Sequence, residues 1–326
     1  MSDTEQPMDY FAALNEAVFY PVPKAGYLRL QGADRLAFLQ RQTSNDVSRL
    51  QPDRSVLTVL LTPTARILDV LRLIEESKEV LGALTLPGRA EATARYLQSR
   101  IFFMDKVSLS NASQELAQME LYGPSAGGLL TQLGVTWLPA LDEVVIAEFD
   151  GYPLRAIGER GFSSTAYRLL ISAPGQAQLQ ATLESSGAVR LSESSYHTLR
   201  VESGIPAADF ELTSEYTPLE TGLRFAVAEG KGCYTGQEVI ARQITYDKIT
   251  QRLVGVRLKA PVATGARIWA DGKSVGVVTS ATHSSRFGPI ALAVVRKPYF
   301  QAGTIVIVEN RQSEIVELPF TAHNPS

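Results

Sequence analysis

The first hundred residues alternate between two hydrophobic periods. A helix-like arm over Tyr10–Val18 precedes "GYLRLQGADRLAFLQRQ", where apolar side chains recur first at every second position and then at helical spacing. This pattern predicts a strand, a break at Gly32 and a helix that Asp34 can cap. A hairpin turning at residues 63–66 and a helix over Glu91–Ser99 follow. Together they predict a first α+β segment.

The next stretch of chain repeats this style. "QELAQMELYGPSAGGLLTQLG" predicts a strand, a turn and a helix, and "EVVIAEFDGYPLRAIG" predicts a hairpin that turns at Asp150-Gly151. After about Gln251 the alternating runs are short and are separated by Gly, Pro and Asp-Gly turns, which is typical of a small antiparallel barrel or sandwich. We therefore expect an α+β protein with segments at residues 1–110 and 111–250 and a C-terminal β-barrel at residues 251–326.

Charge and composition narrow the class of protein. The 326 residues carry 31 basic and 34 acidic side chains, a formal net charge of -3, which argues against a nonspecific grip on nucleic acid. A single cysteine excludes an internal disulfide and suits a reducing cytosol. The N-terminal stretch lacks the pattern of a secretory signal, and the longest apolar run, Val56–Leu61, is too short for a bilayer. We expect a cytoplasmic monomer without membrane association or direct nucleic-acid binding.

The only cysteine lies in "GKGCYTGQEVIAR", from Gly230 to Arg242. Residues 235–238 fit a capping box, which would place Cys233 two residues before a helix start. The free amides and dipole there, together with Lys231, favour a thiolate, and the flanking glycines permit close approach of a ligand. The alternative is a buried and inert cysteine, since free cysteines are among the most buried residues. We expect Cys233 to be reactive.

A lone thiolate has few chemical uses. An iron–sulfur cluster normally takes about four protein thiolates, so this chain cannot hold one alone. A cysteine hydrolase needs a histidine base, and no histidine lies in a recognisable setting for that role. We see no metal site. The thiol fits better as a pocket residue or as a transient contact with a partner.

Two carboxylates occupy unusual positions in predicted elements. On the strand "RILDVLRLI", Asp69 shares a face with Ile67, Leu71 and Leu73, which is costly unless something hydrogen-bonds to it. The alternative is an edge-strand aspartate paired with a nearby arginine.

Glu202 is the second carboxylate, in the last turn of a helix that Gly204 closes. It lies on or near the inward face, and in this last turn the helix dipole disfavours an anion. A ligand would explain the placement, and a salt bridge to Arg200 or Arg224 is the simpler explanation. Two semi-buried carboxylates also suit the N3–H and 2-amino group of a pterin, because a carboxylate accepts such a donor pair in bidentate fashion.

The motif KGCYTGQE at Lys231–Glu238 resembles the signature of the YgfZ-type folate-binding proteins. These are relatives of the glycine-cleavage T-protein (aminomethyltransferase) that are implicated in iron–sulfur cluster maintenance and tRNA modification. "GADRLAFLQRQTSNDV", "LRVESGIP" with "TPLETGL", and "GVVTSATHSSRFGPIALAVVRK" are similar to the family's N-terminal, central and barrel blocks. The resemblance implies a T-protein-like ring of α+β segments around a central folate pocket, with tetrahydrofolate as cofactor.

The same resemblance implies a set of site residues. Asp69 and Glu202 match superfamily carboxylates that face the pterin. The motif itself supplies the remaining candidates near the pocket mouth, with Cys233 and Lys231 as catalytic residues and Tyr234, Gln237 and Arg242 as cofactor contacts. Two departures stand out: Ala65 occupies a place where the family usually has glycine, and "GERGFSSTAY" matches the T-protein's GYTGE-type block only loosely. The second departure points away from a working aminomethyltransferase.

The sequence therefore supports three hypotheses. The first is a tetrahydrofolate-binding accessory protein that supports iron–sulfur cluster assembly or repair and iron–sulfur-dependent tRNA modification through Cys233, with iron–sulfur proteins or tRNA-modifying enzymes as partners. The alternative is a folate-dependent, aminomethyltransferase-like one-carbon transferase in which Asp69 acts in general acid/base catalysis. A plain tRNA-binding module is the weakest of the three, because the charge is balanced.

Overall fold

The computed structural model describes residues 7–162 and 165–321 and shows a mixed α+β chain, which confirms the expected class. The α-helices are α1 (Met8–Asn15), α2 (Arg35–Gln42), α3 (Ala90–Gln98), α4 (Ala126–Gln132), α5 (Gln176–Ser185), α6 (Glu193–Glu202) and α7 (Gln237–Thr245). Short 3-10 turns lie at Val47–Arg49, Ala173–Gly175 and Arg224–Ala226. No helix in the described ranges is long and apolar enough to cross a bilayer.

The strands form two sheets and a barrel. In chain order they are β1 (Val18–Pro21), β2 (Gly26–Gln31), β3 (Val56–Leu61), β4 (Ile67–Ser77), β5 (Val80–Thr85), β6 (Ser108–Asn111), β7 (Leu116–Tyr122), β8 (Val144–Phe149), β9 (Tyr152–Arg160), β10 (Thr165–Ser172), β11 (Val189–Arg190), β12 (Gln251–Arg257), β13 (Arg267–Ala270), β14 (Lys273–Ser284), β15 (Gly288–Arg296), β16 (Ile305–Val308) and β17 (Arg311–Val316).

The first sheet has five antiparallel strands in the order β3-β4-β5-β2-β6. Its inward-facing leucines, such as Leu30 and Leu71, pack against Phe38 of α2 and Leu97 of α3. Alternation along the strands places apolar side chains on one face, and the helical stripe of α2 and α3 covers that face. The predicted hairpin at residues 63–66 is confirmed, since it joins β3 to β4.

The second sheet has six strands in the order β11-β1-β7-β10-β9-β8, and helices α4 and α5 cover it. The predicted turn at Asp150-Gly151 joins β8 to β9. The N-terminal arm differs from its prediction: its helix ends at Asn15, because Val18 begins a strand that pairs with β7. Residues 1–110 therefore contribute strands to both sheets. Side chains such as Tyr27 and Leu84 of the first sheet meet Ile157 and Leu170 of the second.

The C-terminal strands close into a six-stranded antiparallel barrel in the order β12-β15-β14-β13-β16-β17. This confirms the barrel expected from the short alternating runs. Val201 of α6 packs against barrel residues such as Ile290 and Leu292, which ties the barrel to the α+β part of the chain. The predicted helix closure is also correct, because Gly204 follows α6 with φ +69°.

Candidate functional site

The cysteine motif belongs to a loop that lies along the end of helix α2. We call residues 226–236 the thiol loop. The Ser44 hydroxyl donates to the Ala226 carbonyl at 2.7 Å, and the Ala228 amide donates to the Ser44 carbonyl at 3.1 Å. Further along, the Thr235 amide donates to the Arg41 carbonyl at 3.1 Å. The loop is thus anchored through its backbone on both sides of Cys233.

Lys231 supplies the central anchor of this loop. Its Nζ donates to the carbonyls of Thr43 and Asn45, each at 2.6 Å, and lies 4.9 Å from the ring centroid of Tyr234. Thr43 is the C-cap of α2, where unsatisfied carbonyls favour a cation. Burial lowers the pKa of Lys231 to about 8, opposed in part by the nearby charge of Asp46. The side chain of Lys231 therefore holds the loop in place.

Cys233 is exposed at the crest of the thiol loop. The predicted capping box is wrong: the N-cap of α7 is Gly236 at φ +83°, without a side-chain cap, and Glu238 pairs with Arg242 one turn later. The left-handed backbone at the N-cap explains this difference, since a glycine adopts it without strain. The N-cap therefore lies three residues after the thiol, and not two, and the helix begins at Gln237.

Gly236 also brings the loop against the β3–β4 hairpin. A Cβ atom at this position would lie 2.8 Å from the Thr62 carbonyl oxygen and 3.1 Å from the Cα of Ala65. Ala65 is itself fully buried at φ +60°, a backbone conformation that glycine adopts more easily. The hairpin turn thus accommodates alanine where the family usually has glycine, and the motif packs against this turn.

The remaining motif residues divide between a cavity and the solvent. Tyr234 is buried, and desolvation raises its pKa to about 12, so its phenol stays neutral. Tyr234 and Gln237 line a cavity of about 200 Å³ with Ile240 and Ile244 of α7. Arg242 lies on the opposite part of the helix surface, exposed and paired with Glu238.

Asp69 lies in β4, between β3 and β5, so it is not on an edge strand. Its side chain is fully buried, and three protein donors hold it: Oδ1 accepts the amides of Val70 (2.8 Å) and Leu86 (2.9 Å), and Oδ2 accepts the Thr93 hydroxyl (2.5 Å). Desolvation raises its pKa to about 7, although these hydrogen bonds oppose the shift. The carboxyl group can therefore exchange a proton near neutral pH.

Glu202 ends α6 and faces the barrel. Its Oε1 accepts the hydroxyls of Tyr10 (2.7 Å) and Ser284 (2.5 Å), and its Oε2 pairs with Arg286 at 3.3 Å. The partner expected from sequence was Arg200 or Arg224. The structure instead pairs Arg200 with Glu211 and Arg224 with Glu229. Arg286 comes from the turn between β14 and β15, so only the closed barrel brings it to the helix.

The structure thus places the predicted residues in three separate settings. Asp69 lies within the five-stranded sheet, Glu202 lies between α6 and the barrel, and the motif residues lie at the end of α2. The hydrogen-bond partners of Asp69 are different from those of Glu202. The motif lies against the Asp69 strand in two ways: Gly236 approaches the hairpin turn, and Tyr234 shares a hydrophobic cluster with Ile67 and Val70 of β4.

Sequence reasoning missed a buried ionic cluster in the six-stranded sheet. Arg168 donates to Glu120 at 2.5 Å and to Glu159 at 2.9 Å, and Arg72 of the first sheet contacts Glu159 at 2.8 Å. The hydroxyl of Tyr122 donates to Glu120 at 2.5 Å. The available signal was a glutamate inside the apolar run of β7, "LAQMELY", the same signal that singled out Asp69.

Stacked aromatic rings adjoin this cluster. Tyr20 stacks on Tyr196 with ring centroids 4.1 Å apart, and Tyr122 stacks on Phe162 at 4.2 Å. A carboxylate beside aromatic faces offers the hydrogen-bond acceptor and the stacking surface that suit a flat, nitrogen-rich bicyclic ligand. The cluster therefore belongs with the candidate residues, although its members now satisfy one another.

Comparisons with known proteins agree with this fold. The GCVT N-terminal domain family matches residues 9–231, and the glycine cleavage T-protein C-terminal barrel domain matches residues 251–321. Aminomethyltransferase T of the glycine cleavage system from Bartonella henselae superposes with a TM-score of 0.85 at 20% identity, over 96% of this chain and 88% of that one. At that identity the superposition shows the fold alone.

Curated relatives span nearly the whole chain. The Arabidopsis thaliana protein named "Putative transferase At1g60990, chloroplastic" is 33% identical over 96% of this chain and 73% of its own length. The aminomethyltransferase of Geobacillus sp. (strain WCH70) is 28% identical over 96% of this chain and 89% of its own. The chain belongs to the family of the GCVT N-terminal domain and the glycine cleavage T-protein C-terminal barrel.

Proposed function

We propose that the chain is a tetrahydrofolate-binding accessory protein of the YgfZ type. It supports iron–sulfur cluster assembly or repair, and iron–sulfur-dependent tRNA modification, through the thiol of Cys233. One observation carries the proposal: Cys233 is exposed on a loop whose backbone is anchored on both sides. A thiol held outward in this way suits contact with another macromolecule better than chemistry on a ligand inside the chain.

The folate part of the proposal depends on whether the carboxylates can accept a pterin. Glu202 fits this role, because two of its three partners are the hydroxyls of Tyr10 and Ser284, which can rotate away from an incoming N–H pair. Its third partner, Arg286, is 45% exposed, so this side of Glu202 adjoins the surface. Asp69 offers only the Thr93 hydroxyl for exchange, since backbone amides hold its other oxygen.

The proposal assigns roles to the two carboxylates and to residues of the thiol loop. Glu202 would accept the N3–H and 2-amino group of the pterin, and Asp69 would hold or release a proton at Oδ2, where Thr93 now donates. Bound tetrahydrofolate supplies a nitrogen that carries one-carbon units. Lys231 fixes the loop that presents Cys233, and the ring of Tyr234 lies against the Lys231 ammonium.

Calorimetric titration with anaerobic tetrahydrofolate tests the folate site. Glu202→Gln should weaken binding by roughly 10- to 100-fold, since the carboxylate's bidentate acceptor is lost. Glu193→Gln is the matched control on the same helix, because Glu193 is exposed in the first turn of α6. Equal affinity in the wild type and Glu202→Gln, with both proteins folded, would contradict the placement at Glu202. Absence of binding in the wild type would contradict the folate proposal itself.

Complementation tests the thiol. In cells that lack the native gene, the wild-type chain should restore the activity of iron–sulfur enzymes, and Cys233→Ser should not. The substitution is isosteric and lies at an exposed position, so it leaves the fold intact. Full restoration by Cys233→Ser would show that the thiol has no part in the function.

A one-carbon transferase is the second candidate. It is favoured by the buried carboxyl of Asp69, whose pKa of about 7 suits proton transfer near neutral pH. Turnover with an aminomethylated lipoyl carrier protein and tetrahydrofolate would support it, provided that Asp69→Asn abolishes the turnover. Absence of turnover in a wild-type protein that binds folate would rule it out.

A further inference from the structure

Three consecutive apolar side chains project from the loop after helix α3. Phe102, Phe103 and Met104 are 67%, 99% and 74% exposed, and we call them the apolar tip. The tip is a closed turn: Asp105 accepts the Phe102 amide through its carboxylate at 3.0 Å and donates its own amide to the Phe102 carbonyl at 2.9 Å. Contiguous exposed apolar side chains of this size mark interaction surfaces.

The apolar tip and the thiol loop share one anchor. Arg41, at the end of α2, accepts the Thr235 amide through its carbonyl and donates from Nη2 to Asp105 Oδ1 at 2.8 Å. Asp105 closes the tip, and Thr235 follows Cys233 by two residues. The tip and the thiol are therefore fixed relative to each other by a single arginine.

A cavity of about 200 Å³ lies beside the thiol loop. Its walls combine the loop residues Gly230 and Tyr234 with Ile240 and Ile244 of α7, and Glu229, Gln237 and Thr245 add polar groups. The cavity has room for one side chain of a partner. Cys233 thus follows and precedes residues that line this recess, and Arg41 ties the nearby Thr235 to the apolar tip.

The chain around the apolar tip carries more cations than free anions. Asp105 pairs with Arg41, and the carboxylate of Asp34 accepts the Lys106 amide. Among the ion pairs of the described residues, neither Arg100 nor Lys106 has a carboxylate partner. These two cations flank the tip in the chain, so its rim is complementary to an acidic surface.

The size of this surface favours a transient partner. A buried aromatic side chain contributes roughly 150–250 Å². Two phenylalanines, a methionine and a small recess therefore fall short of the roughly 800 Å² per partner of a standard stable interface. Surfaces of this smaller size are typical of brief redox and signalling encounters, and not of permanent dimers.

We infer that the apolar tip, Cys233 and the recess form a docking surface for a folded protein that has an acidic rim around an apolar pocket. Docking places the partner's surface directly over the thiol. This inference rests on the proposed function only for what happens at Cys233 afterwards. The docking itself follows from shape and charge.

Photo-crosslinking in the native host cells tests the docking. A photoreactive phenylalanine analogue is placed at position 103 of the full-length protein, and at Trp269, an exposed aromatic residue of the barrel, as the control. A discrete adduct with an acidic protein is expected from position 103 and not from position 269. Combining Arg100→Glu with Lys106→Glu should lower its yield about tenfold or more. Adducts to lipid, adducts to a second copy of this chain, adducts insensitive to the charge reversal, or none at all would overturn the inference.

A second measurement separates this inference from the proposed function. Phe103→Glu should abolish restoration of iron–sulfur enzyme activity as fully as Cys233→Ser, while the rate of Cys233 alkylation by a maleimide and the affinity for tetrahydrofolate stay unchanged. If Phe103→Glu restores activity normally where Cys233→Ser does not, the docking inference fails and the proposed function stands. If Cys233→Ser restores activity but the charge-dependent adduct persists, the docking stands and the proposed function fails.

Discussion

Two buried cations hold this molecule together in opposite ways. Arg168, in the six-stranded sheet, lies between the carboxylates of Glu120 and Glu159. The ammonium of Lys231, in the thiol loop, has two backbone carbonyls and the ring of Tyr234 as its direct partners within residues 7–162 and 165–321. Burial disfavours both charges, but the carboxylates reverse its effect at Arg168, whose pKa is raised, whereas the pKa of Lys231 falls to about 8.

The contacts of Arg168 are therefore stronger than those of Lys231. The charge of Arg168 cannot be removed without leaving the buried carboxylate of Glu120 uncompensated and weakening the compensation of Glu159. The charge of Lys231 has no directly bonded carboxylate among the described residues, and the carbonyl dipoles and the nearby charge of Asp46 do not offset its burial, so it is retained less tightly as the pH rises. Ion pairs thus stabilise the interior of the six-stranded sheet, while hydrogen bonds to backbone carbonyls hold the loop that presents the thiol.

Substitution of each cation in turn tests most directly how much Arg168 and Lys231 contribute to stability. Arg168→Met should lower the free energy of unfolding by about 3–5 kcal/mol, because it leaves the buried carboxylate of Glu120 without a cation and Glu159 with Arg72 alone. Lys231→Met should cost only about 1–3 kcal/mol, because it leaves two carbonyls unsatisfied but removes a poorly solvated charge. Urea denaturation of both variants provides the measurement. A larger cost at Lys231 than at Arg168 would reverse the comparison.

The next largest loss of stability is expected from a change in the backbone of the thiol loop. Gly236→Ala should destabilise the protein by about 1–3 kcal/mol, because φ is +83° and the new Cβ would lie 2.8 Å from the Thr62 carbonyl oxygen. Gly232→Ala is the matched control in the same loop, since a Cβ there meets no atom within 4 Å. Thermal denaturation compares the two. Equal melting temperatures would show that the loop is not held against the hairpin.

A pH dependence of the free energy of unfolding should appear at Asp69. Its pKa rises from the ordinary 3.8 to about 7 on folding, so between these values the folded chain binds the proton more tightly than the unfolded chain. The contribution of Asp69 to stability is therefore present below pH 4 and is lost as the pH rises to 7. Against Asp69→Asn, the wild type should lose relative stability over this range in urea titrations. A constant difference would contradict the raised pKa.

Lys231 should show the smallest effect, at higher pH and with the opposite sign. Its pKa falls from 10.5 to about 8 on folding, so between these values the unfolded chain binds the proton more tightly. The wild type should therefore gain stability relative to Lys231→Met as the pH rises from 8 to 10, an effect that solvent screening reduces. Urea titrations at pH 7.5 and 9.5 suffice. A gain below pH 7 would assign the titration to another group.

The elements with a clear local pattern were predictable from sequence. The β3–β4 hairpin, the Asp150-Gly151 turn, the closure of α6 by Gly204 and the C-terminal barrel follow from period and turn residues, and the structure has all four. The predictions failed where contacts between segments distant in sequence determine the local structure. Val18 left its predicted helix to pair with β7, and the Asp34 carboxylate accepts the Lys106 amide where a helix cap was expected.

In the candidate site, too, local patterns were predictable and long-range contacts were not. The sequence singled out Asp69, Glu202 and the motif, but not their partners, because Thr93, Ser284 and the carbonyl of Thr43 reach them only through the fold. The capping box failed because a glycine in a left-handed conformation starts α7. Whether these residues bind folate stays a prediction, which the Glu202→Gln titration addresses.

The pairing of the thiol loop with the end of α2 has a consequence for folding. Lys231 and Thr43 are separated by 188 residues, so the carbonyls at the end of α2 leave the ribosome long before their donor is synthesised. Such non-local contacts form late and slow the folding of a domain. The carbonyls of Thr43 and Asn45 therefore stay without this donor until the cysteine motif has been synthesised, so the thiol loop docks on a helix end that is already present.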